Sequence, residues 1–425
     1  MSFLADLRPT LGRAVQHPRH RLLTLVVLTG LLGGLVGAAY LALLQALAHG
    51  LGPARWSPAA HLGILAAVGL VVAALTHRLG NPADVELLVD NIHVLGGAEE
   101  VRSLRSLIPV SLLCIGAGGA LGPEAPLVTT TGSLGSWVGS RARLGRVDLR
   151  IVSIAGMAAG FTVLFGAPLG SAVFALEILH RRGLEYYEAL LPAAVGALCG
   201  YAVYAGATGL GLEPVFAFPG VGPMQVTDLL LGAAAGVAGA GIAHAFTHLC
   251  TGLRRAVRAV PPPARPVLGG IALGGLAFAT PYALTNGEAQ IADLSAIHVA
   301  AATLALAAGA KLVASAVSLV TGWKGGFIIP LFFVGYCVAR ASAGILPDGD
   351  EWVLAAGLMA AANVGVTKTP IGSTLVVTEM AGTAVLPSTL LASVVSLALT
   401  SGVGLIDSQR RRFDAGDDAD EPEPE

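Results

Sequence analysis

Charged residues are scarce in this sequence of 425 residues, where they make up only 12% of the chain, and aromatic residues make up 5%. An ordinary soluble domain carries about 25% charged residues, so this composition excludes a soluble enzyme. The formal net charge of −2 does not identify a partner. We expect no nucleic acid among the partners.

Cysteine is also rare, with four residues in the chain. They lie in or beside apolar runs and lack the spacing of metal ligands, which favours small core residues over a metal site. The motifs HExxH, GxSxG and the Walker-type loop do not occur in a suitable context. We therefore expect no enzyme, no metal and no cofactor.

Long apolar runs dominate the sequence instead, with 54% hydrophobic residues and a mean hydropathy of +0.74. Each run, alone or with its neighbour, is long enough to cross a hydrocarbon core of about 30 Å. The sequence predicts an all-α polytopic membrane protein with about ten to fourteen helical segments, some too short to span. The runs are 22–48, 60–79, 106–121, 150–180, 189–211, 225–249, 266–285, 298–320, 326–345, 351–364 and 370–406.

Arginines flank the apolar region at both ends. Arg8, Arg13, Arg19 and Arg21 precede the first run, and residues 410–412 are three arginines after the last run. Because cytoplasmic segments are rich in Lys and Arg, we expect both termini on the cytoplasmic side of the cell membrane and an even number of crossings. Residues 1–21 form the N-terminal segment, and residues 409–425 form a basic and then acidic tail that we expect to be disordered.

An internal repeat relates the two halves of the chain. PLGSAVFALE (Pro168–Glu177) and PIGSTLVVTE (Pro370–Glu379) share proline, glycine, serine and glutamate at one spacing. Upstream of them, GPEAP (Gly122–Pro126) and GFIIP (Gly326–Pro330) form a second matching pair. Chance coincidence of Gly and Pro is the alternative. The repeat predicts two halves, at about 22–212 and 225–408, with interrupted helices in corresponding positions, as in transporters with inverted repeats.

The glycine and proline frames have a specific physical use. A helix that begins inside the membrane leaves its first N–H groups unpaired at the positive end of the helix dipole, and several such ends together bind an anion. We expect Gly122, Pro126, Gly325, Gly326 and Pro330 to frame two such helix starts.

Glu124 lies within the first of these frames, in an apolar setting where a carboxylate is costly. Its side chain is expected to occupy the anion site as a tethered anion that protonation releases. The alternative is a carboxylate that caps a helix N-terminus for stability alone.

Four motifs resemble those of the CLC chloride channel and transporter family, in the same order and over roughly residues 20–408. GPEAP resembles G-[K/R]-E-G-P, and GGFIIP (Gly325–Pro330) resembles G-G-x-F-x-P. FGAPLGSAVFALE (Phe165–Glu177) resembles F-N-A-P-L-A-G. TPIGSTLVVTEM (Thr369–Met380) resembles the last motif of the family, A-P-L-T-x-x-x-x-x-x-E-M. The resemblance implies a transmembrane unit over 22–408 with an inverted repeat of tilted and broken helices, a small inorganic anion as cargo, and a homodimer with one pathway per subunit.

The resemblance also implies roles for single residues. Glu124 falls on the gating glutamate, and Phe327 and Ile328 fall on the pair whose backbone N–H groups hold the central anion. Glu177 and Glu379 occupy parallel repeat positions, which favours a structural hydrogen-bonding role for both.

Several positions depart from the family pattern. The segment VDNIH (Val89–His93) aligns with the loop in which the family has an anion-binding serine. Asp90 falls on the position of that serine, and Asn91 is the candidate hydrogen-bond donor to the anion. His93 is interpreted as a loop histidine. Ile406 aligns with the tyrosine that closes the anion path, and Ile178 aligns with the second glutamate that carries protons. An ordinary polar loop is the alternative for Val89–His93.

Two lysines lie ahead of the second frame. Lys311 matches a lysine common in the family, whereas Lys324 does not and would place an extra positive charge near the anion path, unless it extends to the membrane interface.

These residues predict passive, chloride-like anion transport gated by Glu124, because Ile178 cannot relay a proton and Ile406 offers no hydroxyl. A proton-coupled chloride or fluoride antiporter that uses Asp90 or His93 is one alternative. A related membrane protein that moves another solute, or none, is the other.

Overall fold

The computed structural model describes residues 18–83, 85–97, 101–180, 185–209, 215–216, 218, 221, 224–347, 350–406 and 408–409. Within these residues the chain forms sixteen α-helices and one isolated β-bridge. The helices are α1 (Pro18–Leu51), α2 (Pro58–Leu79), α3 (Val85–Leu95), α4 (Val101–Gly116), α5 (Glu124–Arg141), α6 (Arg146–Phe165), α7 (Pro168–Glu177), α8 (Leu190–Thr208), α9 (Val226–Ala256), α10 (Arg265–Ala279), α11 (Glu288–Ser295), α12 (Ala301–Val320), α13 (Ile328–Ala341), α14 (Asp350–Thr367), α15 (Pro370–Ala381) and α16 (Leu386–Leu399).

The helix count exceeds the ten to fourteen segments expected from the sequence because prolines and glycines divide long apolar runs. α6 ends at Phe165, its C-cap Gly166 takes a left-handed φ of 62°, and α7 begins at Pro168. The run 370–406 is divided in the same way after Gly382, which has a φ of 109°. Proline fits the first turn of a helix and glycine fits its end, so one apolar run gives two helices.

Seven helical segments within the described part of the chain are long and apolar enough to cross a membrane, judged by length and composition. They include α1, α2, α6, α8, α9, α12 and α13. The prediction of an all-α polytopic membrane fold is confirmed. The basic N-terminal residues before 18 and the tail from 410 lie outside the described residues, so their cytoplasmic placement stays a prediction.

Helices α9 to α16 repeat the order and packing of α1 to α8. α1 packs against α8 as α9 packs against α16, and α5 packs against α6 as α13 packs against α14. Elements at the same repeat position also meet each other, since α2 contacts α10 and α7 contacts α15. Such self-pairing is expected of elements that lie beside a twofold axis between the halves.

The direction of the paired elements shows that the repeat is inverted. Glu177, at the end of α7, accepts hydrogen bonds from the N–H groups of Ile371 (3.2 Å) and Gly372 (2.6 Å) at the start of α15. Glu379, near the end of α15, accepts from Leu169 (3.2 Å) and Gly170 (2.8 Å) at the start of α7. Equivalent helices therefore run in opposite directions, and each carboxylate caps its partner's N-terminus.

Small residues let these two helices approach closely. A Cβ atom added at Gly170 would overlap the backbone at Val376, and one added at Gly372 would overlap the backbone at Phe174. These contacts are themselves related by the repeat. The structural role expected for Glu177 and Glu379 is consistent with this geometry.

Removing either carboxylate should destabilise the fold. Glu177→Ala and Glu379→Ala each leave two N–H groups without their acceptor, so we expect the free energy of unfolding to fall by about 2–3 kcal/mol. Asp228→Ala is the matched control, because Asp228 accepts from the Gln225 N–H in an exposed cap and should cost about 1 kcal/mol. Denaturation in detergent measures the three variants, and equal losses in all of them would contradict the reciprocal-cap interpretation.

Candidate functional site

Two helix N-termini meet at the centre of the fold. α5 begins at Glu124 and α13 begins at Ile328, within the two glycine and proline frames. The Gly122 N–H donates to the Gly326 carbonyl (2.8 Å), and the Gly326 N–H donates to the Gly122 carbonyl (2.6 Å). This antiparallel bridge holds the positive ends of two helix dipoles side by side, as the sequence predicts.

The Glu124 side chain lies on the N-terminus of the other half's helix. It is 1% exposed, and its Oε1 accepts a hydrogen bond of 2.5 Å from the Ile329 N–H in the first turn of α13. Oε2 is buried and has no hydrogen-bond partner among the described residues. A Cβ atom on Gly122 or Gly326 would overlap Oε2, so the carboxylate fits here because both positions are glycine.

A cavity of about 190 Å³ adjoins this carboxylate. It brings together most of the residues that the sequence singles out for the anion path, from both halves of the chain. Phe161 and Thr367, at or near the ends of α6 and α14, line it as well. The predicted residues on its wall are Glu124, Ile178, Gly325, Gly326, Phe327, Ile328 and Ile406.

Charged side chains of both signs line the same cavity. Lys324 and Arg254 contribute positive charge, and Glu86 contributes a carboxylate besides Glu124. Lys311 does not line it, since its buried amine donates to the carbonyls of Leu284 (2.5 Å) and Thr285 (2.8 Å). Lys324 thus lies near the expected anion path, whereas Lys311 holds a neighbouring segment.

The expectation of an anion-binding loop at Val89–His93 is wrong. These residues lie inside α3, and neither Asp90 nor Asn91 is among the described residues that line the cavity. The non-helical residues that precede α3 in the chain include Gly80 and Asn81. Glu86, in the first turn of α3, reaches the cavity instead.

His93 is not a loop histidine either. It is fully buried, its Nδ1 lies 2.8 Å from the Tyr186 hydroxyl, and its Nε2 lies 2.8 Å from the Leu179 carbonyl. Arg146 donates to the His93 carbonyl (2.9 Å). These contacts bind α3 to the region after α7, and they give His93 a packing role away from the cavity.

The segment that carries Leu405 and Ile406 is fastened at both ends. The Gln409 amide donates to the carbonyls of Ile178 (3.0 Å) and Thr367 (2.7 Å). At the other end, the Lys368 amine donates to the Thr400 carbonyl (2.7 Å). These bonds hold two apolar side chains, each less than a tenth exposed, against the cavity.

Sequence reasoning missed Glu86, Lys368 and Gln409. Glu86 had a signal, as an acid at the start of an amphipathic segment close to the misaligned loop. Lys368 lies at the position in the second half that corresponds to Gly166 in the first half, and its φ is 62°. A lysine in place of the glycine of the first half was the signal in the sequence that this position is unusual. Gln409 gave none, because its two acceptors are distant in the sequence.

The profile of the family described as voltage gated chloride channel matches residues 68–401. The chain belongs to this family, the CLC family. The family consists of membrane proteins that transport ions and not of enzymes.

Similar proteins agree with this assignment. The chain is 28% identical, over 415 residues, to a protein of Pseudomonas syringae pv. tomato named chloride/fluoride channel protein, covering 91% of this chain and 86% of that one. Crystal structures of a slow cyanobacterial Cl⁻/H⁺ antiporter and of a CLC-type fluoride/proton antiporter each superpose with a TM-score of 0.77. The chloride/proton antiporter is 19% identical, and the superposition covers 91% of this chain and 95% of the antiporter chain. The fluoride/proton antiporter is 20% identical, and the superposition covers 92% of this chain and 98% of the antiporter chain. The CLC fold, with its inverted repeat, is thereby confirmed.

Loss of the Gln409 contacts should loosen the wall formed by Leu405 and Ile406. In a variant whose four cysteines are replaced by alanine, we introduce Ile406→Cys and measure its modification by a thiol reagent. Gln409→Ala should raise the rate about tenfold, because about 1.4 kcal/mol of hydrogen bonding to two carbonyls is lost. Gln225→Ala is the matched control. Equal rates in both variants would show that Gln409 does not hold the segment.

Proposed function

We propose that this protein moves small inorganic anions across the membrane through the cavity beside Glu124, with Glu124 as the gate. One observation carries the proposal: the Glu124 carboxylate occupies the N-terminus of α13, where an anion would bind. Phe327 and Ile328, at the start of the same helix, line the cavity. We propose their backbone N–H groups as the anion's donors.

The gate follows from competition between two anions for one positive site. With its carboxylate on the Ile329 N–H, Glu124 closes the path. An arriving anion displaces the side chain, and a proton taken up by the displaced carboxylate keeps it away, since a neutral acid no longer competes for the helix N-terminus. One residue thus links opening to anion concentration and to pH.

We propose passive movement as the primary mode. Ile178 and Ile406 both line the cavity, and their hydrocarbon side chains neither relay protons nor bind an anion. The relative from Pseudomonas syringae is named a channel protein, which agrees with this mode.

Glu124→Gln tests the gate in reconstituted liposomes. We expect anion flux to be retained and its dependence on pH to be lost, because an amide carries no charge and does not titrate. Flux is measured with chloride and with fluoride, since the named relative covers both. Asp228→Asn, at an exposed helix cap, should keep the pH dependence of the unchanged protein.

Glu124→Ala distinguishes gating from a purely structural cap. A cap alone should lower the free energy of unfolding by about 1 kcal/mol and leave the pH dependence in place. Well-folded Glu124→Ala with pH-dependent flux would therefore overturn the gate. Absence of flux for both anions in the unchanged protein would instead favour the reading that the chain moves another solute or none.

Proton-coupled antiport is the second candidate function, and Glu86 favours it. This carboxylate lines the cavity that also contains Glu124 and Ile178, so two titratable acids adjoin one space. The two structural neighbours described as antiporters share the fold. In this mode Glu86 takes the place of the glutamate that Ile178 replaces.

An imposed anion gradient with a pH probe decides between the two modes. Passive transport predicts anion flux without uphill proton movement. Antiport predicts uphill proton movement that Glu86→Gln abolishes while anion flux continues. Asp90→Asn and His93→Ala are matched controls, because both residues lie off the cavity, and proton movement that stops only in these variants would refute the role of Glu86.

We also propose the remaining features that the family resemblance implies. The transmembrane unit extends over residues 22–408, both termini face the cytoplasm, and two subunits associate as a homodimer with separate pathways. Chemical crosslinking in the membrane and labelling of cysteines placed at residues 10 and 415 test these features.

A further inference from the structure

Two histidines on α9 lie one turn apart on the same side of the helix, and neither lines the cavity beside Glu124. The rings of His244 and His248 have their centres 6.1 Å apart and are nearly parallel, with an interplanar angle of 15°. Residues four apart lie one above the other on a helix. Two imidazoles of one helix bind a single zinc ion at this spacing. The pair therefore has the spacing of a metal chelate.

A backbone carbonyl of another helix lies beside the pair. Leu399 is the last residue of α16, so its carbonyl is at the negative end of the helix dipole and is one of those that a helix leaves without an internal partner. The Nε2 atom of His244 lies 3.3 Å from this oxygen. That distance is long for a hydrogen bond. It matches the separation of about 3.4 Å between two ligands of one tetrahedral ion with bonds of about 2.0–2.2 Å.

The surroundings leave room for an ion and its water ligands. His248 is exposed and His244 is partly exposed. Gly241 and Gly252 lie one turn before and one turn after the pair, and a Cβ atom added at either would meet nothing within 4 Å. The ring centres of two imidazoles on one tetrahedral ion lie about 5 Å apart. A small rotation of the exposed His248 ring closes the pair to that distance.

The chemistry of these ligands selects the class of ion. Neutral imidazole suits divalent ions such as zinc, nickel and copper. When Nε2 of His244 binds the ion, the ring carries its proton on Nδ1. No further histidine, cysteine, aspartate or glutamate joins the pair among the described residues. Water fills the other positions on the ion, so the ion exchanges with solution.

The pair lies near the end of α9 that carries basic residues. Arg254, in the last turn of α9, follows His248 by six residues, or about 9 Å along the helix. Basic side chains at the end of an apolar spanning helix lie at the boundary between membrane and water. Ions in solution therefore reach the pair.

The site is located where α16 leads into the wall of the candidate functional site. Thr400 follows Leu399 directly, and its carbonyl and hydroxyl accept hydrogen bonds from the buried Lys368 amine (2.7 and 3.0 Å). Leu405 and Ile406, a few residues later, line the cavity. An ion held by the histidine pair and the Leu399 carbonyl joins α9 to the end of α16. It thereby limits the movement of the segment that continues from α16.

We propose that His244, His248 and the Leu399 carbonyl bind a divalent transition-metal ion of the zinc and nickel class, and that this ion clamps α9 to the end of α16. Binding and clamping need no anion. Where anions pass Ile406 as proposed above, the bound ion slows their flux, and this consequence alone rests on the proposed function. A hydrogen bond from His244 to Leu399 that ties the two helices without a metal is the competing explanation.

Calorimetric titration of the whole, untagged protein in detergent with Ni²⁺ tests the site. We expect one ion per chain, and His244→Ala and His248→Ala should each weaken binding about tenfold or more, because each removes an imidazole ligand. His298→Ala is the matched control, since His298 is an exposed histidine outside the pair. Absence of micromolar Ni²⁺ binding in the unchanged protein, or equal affinity in the three variants, would overturn the proposal.

Thiol accessibility tests the clamp without any transport. In the variant whose four cysteines are replaced by alanine, a thiol reagent should modify Ile406→Cys severalfold more slowly when Ni²⁺ is added, and EDTA should restore the rate. His248→Ala in the same background should remove the effect, which also excludes direct binding of Ni²⁺ to the new thiol. An unchanged rate, or the same slowing in both proteins, would overturn the clamp.

Two further measurements use the chain with its native cysteines. Ni²⁺ should raise the midpoint of thermal unfolding of the unchanged protein, because an ion that binds only the folded chain stabilises it, and should not raise that of His248→Ala. A midpoint that Ni²⁺ leaves unchanged would count against the site. In liposomes with Ni²⁺ on both sides, chloride flux should fall severalfold in the unchanged protein but not in His248→Ala, and equal responses would refute the effect on transport. Absence of chloride and fluoride flux in the unchanged protein would refute the proposed function, while Ni²⁺ binding and the thiol rate still decide the metal site.

Discussion

The exchange of backbone hydrogen bonds between Gly122 and Gly326 is the contact on which the rest of the site depends. It brings the N-termini of α5 and α13 together, and neither position leaves room for a Cβ atom beside the Glu124 carboxylate. Two positive helix ends at close range repel each other, so the centre of the fold requires a negative charge. Glu124 supplies that charge from within the chain, at the place where we propose that an external anion binds.

The sequence predicted those parts of the fold and site that have a backbone cause. Glycine and proline mark helix ends by their φ angles and missing N–H groups, so the frames at Gly122 and Gly326 and the repeat were visible in the sequence. The loop at Val89–His93 was predicted wrongly because three polar residues in a short helix, Asp90, Asn91 and His93, resemble a polar loop in composition. The contacts of Gln409 were not predictable, since they join three distant segments and depend on tertiary packing alone.

The two halves share a backbone but differ in chemistry where α6 and α14 end. Phe161, Phe165 and Gly166 in the first half correspond to Asn363, Thr367 and Lys368 in the second. The Thr367 hydroxyl lies 2.7 Å from that of Thr369, which lies 2.8 Å from that of Ser373, and the Asn363 amide donates to Ser373. A left-handed lysine costs about 1–3 kcal/mol relative to glycine, which its bonds to the Gly365 and Thr400 carbonyls offset. The duplication thus supplies the symmetric frame, and the polar end of α14 makes one side of the cavity different from the other.

The charge balance of the centre explains why an acid suits the gate that we propose at Glu124. If Glu124 leaves α13 and an anion takes its place, the number of negative charges at the two helix ends does not change, so no buried charge is left uncompensated. An apolar side chain would leave the helix ends unpaired whenever the path is empty, and a fixed cation beside them would hold an anion too tightly to release it.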